Sequence, residues 1–240
     1  MIKRLFNRND NIAILIAGIF SIIIGLGVAR FAFTGLIPAM LDDYLTIKFV
    51  GILASLNFAG YLSGSIFSIF VKDINFKVYL YRFGIFLAIS TTFILAYSDN
   101  NTLWMIGRVL AGFAGAMCLI VGTSIVMQKL TIKSKTKAMG IHFSGIGFSI
   151  LTTDLLARFV LSLNYTWRDS WAVLAVFAII LSFYSVYILS FDKEVKQNAV
   201  KVKFDISIFT PFVIVLIIAY FTEGVGFVVQ ATFLPDIINN

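Results

Sequence analysis

The stretch Gly25-Leu-Gly-Val-Ala-Arg-Phe-Ala-Phe-Thr-Gly-Leu-Ile-Pro-Ala-Met40 lies in a run that is otherwise apolar from Ile12 to Leu41. At about 1.5 Å per residue, a helix of that length crosses the roughly 30 Å hydrocarbon layer of a bilayer. It is too long for a secretory signal core of about 7–15 residues, and no small-x-small cleavage site follows it. Arg30 is the one charge inside it. A guanidinium at that depth costs a few kcal/mol to insert and normally faces a partner or a wet cavity. The stretch therefore reads as a first membrane span, kept in the mature protein, with a functional group built into it.

The rest of the chain agrees. Hydrophobic residues make up 60% and charged residues 13%, against about 45–50% and 25% in a soluble domain. Mean hydropathy is +0.96. Apolar runs fall at 12–40, 47–71, 78–97, 102–128, 137–163, 170–191 and 208–231, which predicts seven spans. Polar breaks separate them, among them Leu41-Asp-Asp-Tyr44, Lys72-Asp-Ile-Asn75 and Ser98-Asp-Asn-Asn101. Small residues recur every third or fourth position, as in Gly60, Gly64 and Ser68 or Gly107, Ala111 and Gly115. That spacing lets helices approach closely in lipid. Lipid cannot satisfy exposed backbone groups, so the class is an all-α polytopic membrane protein.

The net charge of +7 sits in short segments between apolar runs, which argues against a nucleic-acid partner. Lys3, Arg4, Arg8, Lys72, Lys77, Arg82, Lys129, Lys133, Lys135, Lys137, Lys193, Lys196, Lys201 and Lys203 fall on one side. The other side holds Lys48 and Arg168, with Arg158 close by. Positive loops stay in the cytoplasm, so the N-terminus is expected inside the plasma (inner) membrane and Asn240 outside. Cys118 is the single cysteine, so no intrachain disulfide forms.

Span seven contains Glu223-Gly-Val-Gly-Phe-Val-Val-Gln-Ala-Thr-Phe-Leu-Pro235, an echo of the opening stretch that pairs Gly25 with Gly224 and Pro38 with Pro235. A parallel repeat predicts this organisation: a cytoplasmic N-terminus at 1–11, a six-helix bundle at 12–191, a cytoplasmic connector at 192–207, and at 208–240 the first helix of an incomplete second bundle. The expectation is that the chain is a fragment, or that it needs a partner chain or missing second half.

Ile106-Gly-Arg-Val-Leu-Ala-Gly-Phe-Ala-Gly-Ala116 resembles the fourth-helix motif of the major facilitator superfamily, Arg-x-x-x-Gly followed by small residues, through Arg108 and Gly112. The opening stretch, His142-Phe-Ser-Gly-Ile-Gly147 and the Ala-Thr-Phe-Leu-Pro of span seven are similar to its YbfB/YjiJ branch. The resemblance covers essentially the whole chain and implies a secondary transporter with twelve spans. Two features depart from the superfamily. Gly64 is followed by Ser68 where an aspartate is usual, with Asp73 the only acid nearby, and span five lacks the Gly-Pro pair of many antiporters.

Counting along the spans puts Arg30, Arg108, Asp154 and Glu223 at similar depth, in the half of the membrane away from the N-terminus. These four, with Asn57 and Tyr61, are the candidate substrate and ion pathway. The acids would load a proton and the arginines would hold a carboxylate or an acidic solute group, giving a proton-linked carrier of a small solute. Blander readings stand beside it: Arg30 snorkelling outward, Arg108 in packing, and Asp154 paired with Arg158 one turn on. His142 is expected at the cytoplasmic interface. The alternative is a truncated, non-transporting seven-helix protein, receptor-like or a half-transporter. A retinal pigment is disfavoured because span seven has no lysine for a Schiff base. No cofactor, metal site or enzymatic activity is expected: there is one His, no His-Glu-x-x-His and no Gly-x-Ser-x-Gly.

Overall fold

Polar residues ahead of five of the helices cap them. Asp10 accepts from the Ile12 amide, Thr46 from Phe49, Asp73 from Phe76 and Asn100 from Thr102 and Leu103. Thr166 and Asp169 cap each other's backbone reciprocally. These caps satisfy amides that a helix start leaves unpaired. A computed structural model describes residues 6–41, 43–131, 135–190 and 210–239, without the side chains of Val225 and 227–239. The expected connector 192–207, with Lys3, Arg4 and Lys133, lies outside the described residues.

Among the described residues seven helices follow in order: α1 Asn11–Leu41, α2 Ile47–Phe70, α3 Ile74–Tyr97, α4 Asn101–Lys129, α5 Lys135–Ser162, α6 Trp167–Ile188 and α7 Pro211–Asn239. The first six are long and apolar enough to cross a membrane; in α7 the apolar stretch runs Pro211–Gly224. No strand occurs among the described residues. Contacts divide the chain into two units, Met1–Gln197 and Asn198–Asn240.

Within the first unit α1 is the central element, 78% buried along its apolar window against 28% for α5 and 33% for α2. The outward faces carry exposed Leu62, Ile66, Phe86, Leu155, Phe159 and Phe183. Such a surface suits hydrocarbon, and this is a multi-pass membrane protein.

Glycines set how closely the helices approach. A β-carbon on Gly112 would lie 1.9 Å from the Asn57 oxygen, and one on Gly60 would lie 2.0 Å from the Val109 oxygen. The α2–α4 crossing is thus backbone against backbone. A β-carbon on Gly25 would lie 2.3 Å from Cβ of Cys118, where Ser21 also donates to the Cys118 carbonyl. The Tyr81 hydroxyl meets Ser185 Oγ at 2.6 Å, and Ser185 donates to the Ala17 carbonyl, tying α3, α6 and α1.

Both central helices open into wider π-helical turns, α1 over Ile23–Phe31 and α4 over Met117–Val121. Such turns recur at functional sites. In α1 the wide segment ends beside Arg30.

Candidate functional site

Beyond Ala29, the half-buried positions of α1 are Arg30, Phe31, Thr34, Gly35, Pro38, Ala39 and the terminal Leu41. Their spacing of three to four residues defines one face, the part of α1 that its five neighbours leave open.

Arg30 heads this face. Its guanidinium carbon lies 4.5 Å from the ring centre of Phe58, 5.1 Å from Tyr61 and 5.4 Å from Phe31. Aromatic faces are electronegative, so the three rings offset part of the cost of placing the charge there. No acid pairs with Arg30 among the described residues. The acidic partners expected from sequence are thus replaced, within the first unit, by rings from α2 and α1. Phe58 escaped the sequence reading because a phenylalanine on an apolar helix carries no local signal of what it will face.

Arg108 is only 2% exposed. Its Nη1 donates to the Ala29 carbonyl at 3.1 Å, its guanidinium stacks 4.3 Å from the Phe33 ring centre, and its Nε has no partner among the described residues. The two arginines stand near enough to repel each other. Asn57 is also buried, and its amide donates to the Arg108 carbonyl at 3.1 Å. The Arg-x-x-x-Gly motif thereby acquires a physical account. Gly112 admits the α2 backbone, Asn57 clasps the Arg108 carbonyl, and the arginine side chain passes on to α1.

Asp154 borders the same open face from α5: a β-carbon on Gly35 would lie 2.9 Å from its carboxylate. Its other oxygen accepts from Arg158 Nε at 2.8 Å, the pairing within one helix that the sequence allows. Glu223 lies on α7, in the second unit. Asp73, where the superfamily's loop acid is displaced, caps α3.

The face away from the N-terminus is closed by an aromatic cluster. Tyr44 packs 5.0 Å from Trp104 and 5.9 Å from Trp167. The Tyr44 hydroxyl donates to the Asp99 carbonyl at 2.8 Å, Trp167 Nε1 donates to Asp43 at 2.9 Å, and Arg168 pairs with Asp99. Burial and the neighbouring Asp99 raise the Tyr44 phenol above its ordinary value, with Arg168 opposing. The Trp167-Arg168 pair is therefore a clamp joining three connections.

This arrangement, a central helix with an open arginine-bearing face and an arginine-glycine crossing beneath it, coincides with a sequence family. Residues 22–240 match the family described as "Uncharacterised MFS-type transporter YbfB". The chain belongs to this family. It is a membrane transporter of the MFS type, and its Arg30 face lies within the matched region. No curated protein matches the chain.

His142, expected at the cytoplasmic interface, is 1% exposed and enclosed by α1 and α4. Sequence position counts residues from a helix end and says nothing about which neighbours cover a side chain.

Proposed function

We propose that this MFS-type protein is a secondary carrier that moves a small anionic or zwitterionic solute by alternating access, driven by the proton gradient across the plasma membrane. The observation that carries the reading is Arg30, a guanidinium on the open face of α1, cupped by Phe31, Phe58 and Tyr61 and unpaired by any acid among the described residues. A cation held by rings is preorganised for an anion, since it has no carboxylate to give up when the solute arrives. Arg108 holds the segment behind it through the Ala29 carbonyl.

Carriers of this superfamily rock two units about a site between them; α7 opens the second. The positive-inside distribution of lysines and arginines supports a cytoplasmic N-terminus. For the proton, Asp154 is engaged by Arg158. That leaves Glu223 in the second unit, or another titratable group in the first.

The test is flux into proteoliposomes holding the full chain, using radiolabelled short mono- and dicarboxylates and amino acids with and without an inward pH gradient. We expect at least one solute to accumulate against its gradient, Arg30→Lys to retain part of that flux, and Arg30→Gln to abolish it. Absence of gradient-driven flux across the whole panel, or wild-type flux in Arg30→Gln, overturns the reading.

A further inference from the structure

The chain has a single histidine, and the transport reading above makes no use of it. His142 lies on α5 about two turns from its start, with its ring wedged between α1 and α4. The slot is made by Gly18 of α1: a β-carbon there would lie 2.6 Å from His142 Nδ1 and 2.7 Å from Cε1. Any other residue at position 18 would evict the ring. On the other side, Thr123 of α4 meets Nε2 at 2.9 Å. Nδ1 is buried and has no hydrogen-bond partner among the described residues.

Among the described residues no charged side chain touches the ring. From α1 the ring meets Gly18, and from α4 it meets Thr123, with Val126 lining the same slot. On α5 the nearest charges, Lys135 and Lys137, stand more than one turn away, and the Lys135 ammonium donates to the Met127 carbonyl. Neutral imidazole suits this place: in the tautomer whose Nε2–H donates to Thr123, only a bare Nδ1 is left facing the Gly18 backbone. Protonation would add a second N–H, aimed where no acceptor stands, and a full charge in an apolar slot. The ring can carry that charge only if α5 withdraws from α1 and water enters.

We propose that His142 is the proton-binding group of the first unit, and that its protonation releases α5 from α1 while its deprotonation locks them. The sign follows from the slot. The closed contact is favoured above the titration of the ring and is lost as pH falls through it, because only the neutral form fits. A ligand that prefers one of two conformations shifts their balance by its difference in affinity, and here that ligand is a proton. The further claim that this proton drives solute movement rests on the carrier reading. The switch itself does not.

Both parts are testable on the full chain in lipid nanodiscs. With ¹³Cε1-labelled histidine the protein gives one imidazole signal. Spin labels on Ile12→Cys and Gly140→Cys, in a Cys118→Ala background, report the spacing of the N-terminal ends of α1 and α5; Ile12 is exposed and Gly140 has open space around it. As pH falls from about 8 to about 4, spanning the ordinary imidazole value near 6.5, the signal should turn from neutral to charged and the spacing should widen at the same midpoint. His142→Gln should hold the spacing constant with pH. In proteoliposomes that variant should keep solute exchange but lose accumulation driven by a pH gradient. A ring that does not titrate in this range, or titrates with no change in spacing, overturns the switch. Wild-type accumulation in His142→Gln, with loss of it in Glu223→Gln, overturns its role in coupling. If the wild type shows the coupled titration but no gradient-driven flux, the carrier reading fails and the switch stands.

Discussion

Nη1 of Arg108 on α4 donates to the carbonyl of Ala29 on α1 at 3.1 Å, one residue before Arg30. A buried cation therefore fixes the backbone from which the accessible cation projects. Burying a charge without an opposite partner is expensive, and even buried ion pairs can often be replaced by apolar residues of similar volume at no loss or with a gain of about 1–4 kcal/mol. We expect Arg108→Met to raise the melting temperature of the purified protein while abolishing transport. A fall in melting temperature would show that the Ala29 bond outweighs the burial.

The ring of Tyr61, not its hydroxyl, faces Arg30. Tyr61→Phe should transport like the wild type, whereas Tyr61→Ala should weaken solute affinity by about 1–2 kcal/mol, or about five- to thirtyfold. Competition binding with a transported solute measures both. Equal losses in the two variants would assign the effect to the hydroxyl.

Glycine substitutions should divide by the space around them. Gly112→Ala must push the α2 backbone away, because its β-carbon would sit 1.9 Å from the Asn57 oxygen; overpacking of this kind costs about 1–3 kcal/mol or more. Gly147→Ala meets nothing within 4 Å and should be neutral or stabilising by up to about 1 kcal/mol through helix propensity. Thermal unfolding in detergent ranks them, and similar melting temperatures for both variants would refute the close crossing.

The pair Asp154–Arg158 is intrahelical and Arg158 is exposed. Asp154→Asn should change stability by less than about 0.5 kcal/mol. A larger loss would mean that the carboxylate over Gly35 holds α5 to α1.

The Tyr44 phenol lies above its ordinary value through burial and Asp99. The folded state therefore favours the protonated phenol, and this contribution is complete below about pH 10, the unfolded value. It is lost as pH rises through the folded value. Tyr44→Phe should flatten the alkaline limb of stability against pH; an unchanged limb would remove Tyr44 as its cause.

The sequence by itself determined the membrane class and the first six helices, whose ends fall close to the apolar runs except in α3 and α6, where the caps at Asp73 and Thr166 start the helix earlier. It did so because hydrocarbon imposes length and apolarity residue by residue, and because caps act over three or four positions. It also marked Gly60, Gly64 and Gly115 as contact points, since close approach in lipid demands small residues. What only the tertiary structure decided is what each polar group meets. Arg30 met rings from α2, Asn57 met a carbonyl of α4, and His142 met the slot at Gly18, through contacts between residues 28 to 124 positions apart that no local pattern encodes. Depth in the membrane follows from counting along one helix, but partnership depends on how helices rotate against each other, and that is fixed by the packing of all six together.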